Sequence, residues 1–122
     1  MTTQFNPQRQ KYIKYDDRHY LLFLNEQTAE QEDEFSGKIS GYTYTGTMPD
    51  GSTLIEATDV TPENMRSKFI AGLIGTEYTK DDQIALLANG EDTNEHAEEL
   101  AKFKAVRAAA KKAVDELLKR EK

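Results

Sequence analysis

A chain of 122 residues, 37% of them apolar and 31% charged, holds enough material for one modest core and not for two. Its formal net charge of −6 argues against a general affinity for nucleic acid or an anionic membrane surface. The absence of cysteine removes disulfides, thiolate metal sites and thiol nucleophiles together.

No apolar run approaches the ~18 residues of a membrane span, and no basic-then-apolar leader stands at Met1, so a single domain folded in the cytoplasm is expected. Residues 1–10 are polar apart from Phe5 and Pro7, and read as a flexible arm. Residues 11–15 and 19–24 are aromatic and aliphatic, with Asp16, Asp17 and Arg18 between them at hairpin-turn length. The second strand of that hairpin is apolar on both faces, which suits a central position. Residues 25–37 carry Glu26, Glu30, Glu32, Asp33 and Glu34 without a single base; a solvated loop is expected, with an acidic recognition loop as the sharper reading.

Residues 38–47 alternate Tyr42 and Tyr44 with Thr43 and Thr45, the period of a strand. The turn Met48-Pro49-Asp50-Gly51 then leads into a strand over 52–57, completing a second hairpin within residues 11–57. Gly41 and Gly46 are spaced as in a phosphate-binding loop, but Thr47-Met48 stands where lysine and a hydroxyl are needed.

Residues 61–122 are helical in pattern. Thr61, Pro62 and Glu63 form a helix start, and Met65, Phe69, Ile70 and Leu73 make one stripe that ends at Gly75. Thr79 and Asp82 resemble a capping box, after which Ile84, Leu87 and Ala88 are expected to face inward until Asn89-Gly90 ends the helix. Thr93 or Asn94 caps a last helix, free of proline and glycine, whose seam is Phe103, Val106, Ala110, Ala113 and Leu117, broadened by Leu100, Val114 and Leu118. At ~1.5 Å per residue it reaches roughly 40 Å, so part of it is expected to overhang the body. Phe103, Val106, Ala110 and Leu117 are therefore the candidate partner contacts.

Charge is polarised along this helix. Glu91, Asp92, Glu95, Glu98 and Glu99 precede a stretch with Lys102, Lys104, Arg107, Lys111, Lys112, Lys119, Arg120 and Lys122, against only Asp115, Glu116 and Glu121. Dipole complementarity and pairs such as Glu98 with Lys102 explain most of it; a basic overhang for an acidic partner, or for another copy, is the alternative.

Reaction chemistry is sparse. His19 and His96 belong to no metal-spacing motif, the pairs Asp16-Asp17 and Asp81-Asp82 fit a turn and a helix start, and no serine stands in an activated setting. Tyr42 and Tyr44 lack the basic and aromatic string of an RNA-binding sheet. The expectation is a non-enzyme without metal or cofactor, binding proteins and neither nucleic acid nor membrane.

Within residues 66–118, and above all 78–114, Tyr78-Thr79, Asp81, Ile84-Ala85-Leu86 and the pattern from Glu95 to Arg107 resemble the C-terminal region of small proteins encoded among the tail-fibre and tail-assembly genes of tailed phages and prophages. Gln83 stands where those proteins commonly carry glutamate, and the N-terminal hairpins have no counterpart there. The resemblance implies a non-enzymatic role at a tail appendage, as a virion component or an assembly accessory made in the host cytoplasm, with tail-fibre or baseplate proteins, or a second copy, as partners.

The expected fold is α+β: a small antiparallel sheet of two hairpins followed by three helices, the last one long. The alternative function is an acidic regulator that places residues 26–34 and 91–99 on a basic site of a host protein.

Overall fold

The computed structural model describes residues 1–35 and 37–120. Six strands precede three helices: β1 Thr2–Asn6, β2 Tyr12–Asp16, β3 His19–Leu22, β4 Gln27–Asp33, β5 Gly37–Gly46, β6 Thr53–Glu56, α1 Met65–Gly75, α2 Lys80–Asn89 and α3 Asn94–Lys119. The class is α+β with a long C-terminal helix. The strands form two antiparallel three-stranded sheets, β1-β5-β4 and β2-β3-β6.

Three local readings change. The expected arm is a strand, since β1 pairs with β5 from Thr2↔Gly46 to Asn6↔Tyr42, and that ladder satisfies backbone groups that a loose arm would leave to water. The acidic stretch is also a strand. β4 pairs with β5 from Gln27↔Thr43 to Asp33↔Gly37, with Glu30 and Glu32 exposed. Charge does not oppose strand formation where the side chains stay wet, and on an edge strand it discourages pairing with foreign chains.

The third change concerns the second hairpin. The Met48–Gly51 turn forms, with Gly51 N–H donating to Met48 O at 3.0 Å, but the strands on either side of it enter different sheets. β6 pairs with β3 from His19↔Glu56 to Leu22↔Thr53, while β5 is flanked by β1 and β4. β3, apolar on both faces, takes the centre of its sheet with β2 and β6 on either side. Gly51 has φ +83°, and a Cβ there would lie 2.6 Å from Tyr44 O, so the turn requires glycine.

The core lies between the β2-β3-β6 sheet, α1 and α3. Leu22, Ile55, Phe69, Val114 and Leu117 are completely or almost completely buried, and each contributes about 1.5–3 kcal/mol by leaving water. The rings of Tyr12 and Tyr20 pack 5.3 and 5.2 Å from that of Phe69. α1 approaches β6 so closely that a Cβ on Gly72 would stand 2.8 Å from Glu56 O and 2.9 Å from Ile55 Cδ1. The helix begins at Met65, later than Thr61-Pro62-Glu63 suggests, because Thr61 and Asn64 first close a turn: Thr61 N–H donates to Asn64 Oδ1 at 2.7 Å, and Asn64 N–H to Thr61 Oγ1 at 3.3 Å.

α3 starts on Thr93, whose hydroxyl accepts from His96 N–H at 3.1 Å. Its buried residues are Leu100, Phe103, Ala110, Val114 and Leu117. The expected C-terminal overhang is absent from the described residues: Leu117 and Arg120 are buried, and Lys11 Nζ donates to Leu118 O at 3.2 Å. The acidic first turns, including Glu95, Glu98 and Glu99, are the exposed end.

Candidate functional site

Two places in the molecule gather chemically distinctive groups. One is a charged clamp where the two sheets meet α3. Asn25, at φ +57°, turns the chain out of β3 and brings Glu26 inward. The Glu26 carboxylate accepts from Arg9 Nη2 at 2.8 Å and Tyr44 Oη at 2.7 Å, and pairs with Arg120 Nε at 3.3 Å. Arg120 Nη1 donates to the carbonyls of Phe23 at 2.7 Å and Gln10 at 2.9 Å, and Tyr44 Oη accepts from Gln10 N–H at 2.8 Å.

Burial raises the Glu26 pKa, but the hydrogen bonds from Arg9 and Tyr44, with the Arg120 and Arg9 charges, outweigh it and hold the carboxyl below its ordinary value. Burial, reinforced by the Glu26 carboxylate, pushes the Tyr44 phenol up to about 12. Burial lowers the Arg120 pKa against the pull of Glu26 and Tyr44. A phenol with its pKa raised that far stays protonated at neutral pH and gives up its proton reluctantly, while the Glu26 carboxylate accepts from Arg9 and Tyr44 and pairs with Arg120. The cluster holds the first residues, the acidic strand and the end of α3 together.

The other place is α2. Its capping box forms, with Asp82 N–H donating to Thr79 Oγ1 at 3.1 Å and Thr79 N–H to Asp82 Oδ2 at 3.2 Å. Gly90 ends the helix with φ +58°. α2 has no buried residue. It rests on α3 through Leu86 and the preceding Tyr78, whose ring meets Phe103 edge-on at 5.1 Å. The stripe expected to face inward points outward: Ile84 is 66% exposed, Leu87 59%, and Ala88 is exposed beside them. Around this ridge Asp81, Asp82, Glu91, Asp92 and Glu95 are exposed.

The residues expected to offer contacts on α3 are largely covered by the protein's own body. Phe103, Ala110 and Leu117 are buried in the core and Val106 is half-buried, because the sheet, α1 and, at Phe103, Tyr78 cover most of the greasy seam. Ile84 and Leu87 are the surface residues that the periodicity misassigned. The signal that could have found them is Leu86 between them, apolar on the opposite side and aligned with Tyr78 and Gln83.

His19 Nδ1 lies 2.8 Å from Asp16 Oδ1 at the β2–β3 turn, and His96 stands in the first turn of α3. Among the described residues no group of three or more His, Cys, Asp or Glu is placed to hold a metal ion. No helix among them is long and apolar enough to cross a membrane.

Comparison of the chain with protein-family models, with curated proteins and with solved structures finds no match.

Proposed function

We propose that this protein acts through protein–protein contact, as a structural or assembly component of a phage or prophage tail, with α2 as its docking element and α3 as the beam that holds it. The reading rests on the two large aliphatic side chains, Ile84 and Leu87, that a capped and anchored helix presents to water. The tail setting is supported by the likeness of residues 78–114 to tail-associated proteins. In this reading the protein has no catalytic role; it is made in the host cytoplasm and carried in the virion or released after assembly.

A photoreactive residue at position 84 tests it in infected or induced cells. Adducts to tail-fibre or baseplate proteins, or to a second copy of the chain within tail particles, are the expected result; tail particles that assemble normally without the protein, and without adducts, overturn it. The carboxylates around the ridge favour a second reading, an acidic regulator seated on a basic site of a host protein. In that case the adduct is to a non-tail protein and is lost on raising the salt.

A further inference from the structure

We infer that the α2 ridge docks into a groove on a second copy of the same chain. The inference rests on the proposed role of α2 and names a partner for it. The groove, with a volume of about 660 Å3, runs between α1, the end of β6 and the first turn of α2. Ala71 and Gly75 form part of its exposed lining, and Ile70 and Ile74 lie beneath. Its charged lining is Arg66, Lys68, Lys80, Lys111 and Glu56; Arg66 pairs with Asp115 and Glu56 with Arg18, while Lys68, Lys80 and Lys111 make no ion pair among the described residues.

Shape and charge point to this occupant. The ridge is aliphatic and flanked by exposed carboxylates, with the exposed Lys80 one turn before Ile84; the groove is floored by small and apolar residues and lined by four basic side chains against one carboxylate. Ridge against ridge would set carboxylates against carboxylates, so contact through α2 alone is disfavoured. The two surfaces are different patches, so each copy carries both halves of the contact. A ten-residue helix offers little area, which places the contact at the small end of specific interfaces and makes it weak and sensitive to salt.

Sedimentation of the whole protein up to ~1 mM tests this, in about 20 mM and about 500 mM salt. The wild type should associate at low salt and shift toward monomer at high salt. Two variants separate the faces: Ile84→Gln with Leu87→Gln on the ridge, and Lys68→Glu with Lys111→Glu in the groove. Each alone should be monomeric, with an unchanged far-ultraviolet spectrum. Mixed, they should form a pair, because one intact ridge meets one intact groove. A monomeric wild type at ~1 mM and low salt overturns the inference, as does a mixture that stays monomeric or a variant that associates like the wild type. If position 84 of a monomeric wild type still captures a tail protein, self-docking fails while the proposed function stands.

Discussion

α2 and α3 are both capped by a threonine, and both carry aliphatic residues at helical spacing, yet one turns its stripe to water and the other to the core. The difference lies in what else each helix has to offer. α3 is 26 residues long and can lay five buried residues on α1 and the sheet while leaving a charged back. α2 is ten residues long and meets the body at one narrow place, through Leu86. A stripe defines a face, and only the supply of neighbours decides whether that face is covered.

Removing the covered face should have the largest effect. Phe103→Ala is expected to cost about 3–5 kcal/mol and Leu117→Ala about 2–5 kcal/mol, read from urea midpoints, since both leave cavities in a packed core. Near-neutral values would mean that α3 is less tightly docked than described.

The clamp at the end of α3 comes next. Glu26→Gln leaves Arg120 without its counter-charge and is expected to cost about 2–3 kcal/mol by the same measurement, below the full penalty for a buried pair because the site is partly open.

The clamp also gives α3 a pH signature. Because the Tyr44 pKa is raised from 10.0 to about 12, its contribution is complete below pH 10 and lost as pH rises toward 12, where the unfolded phenol ionises first. Tyr44→Phe should flatten that alkaline slope. The lowered Glu26 pKa works in the opposite sense: its contribution is present above the ordinary carboxylate range and lost as pH falls through the folded value.

Gly72→Ala is a smaller perturbation on the side of the core where α1 meets β6. Alanine favours helix by up to ~1 kcal/mol, but the added Cβ collides with Glu56 O and Ile55 Cδ1, so a net loss of about 1–3 kcal/mol is expected in thermal melts. A gain in stability would show that α1 can move away from the sheet.

The smallest effect belongs to α2. Ile84→Gln and Leu87→Gln should each change stability by less than ~0.5 kcal/mol, because exposed side chains surrender no packing. A loss comparable to that of Phe103→Ala would mean the ridge is covered within the monomer and would remove the basis for docking.

Much of the architecture was legible in the residues. The first hairpin, the three helices, the capping box at Thr79 and the glycine at position 90 all follow from local chemistry, and local chemistry is what a sequence displays most directly. What escaped was non-local. β4 looks like a loop until Tyr42 and its neighbours on β5 supply an edge to pair with. β5 and β6 look like a hairpin because a good turn joins them, and their partners lie far away in sequence. Which stripes are covered escaped for a related reason: Phe103 and Ile84 have the same periodic signature, and their opposite exposure depends on how much of the body stands behind each.

Arg120 has a consequence for how the molecule is made. The carbonyls of Gln10 and Phe23 receive a guanidinium that lies 110 and 97 residues further along the chain. During synthesis the strands are made long before that donor exists, so the bonds that Arg120 adds to the joint between the two sheets form only when α3 is nearly complete. Until then the Glu26 and Tyr44 side chains have only Arg9, Gln10 and each other as polar partners among the described residues, and the last turn of the helix is the keystone set after the arch.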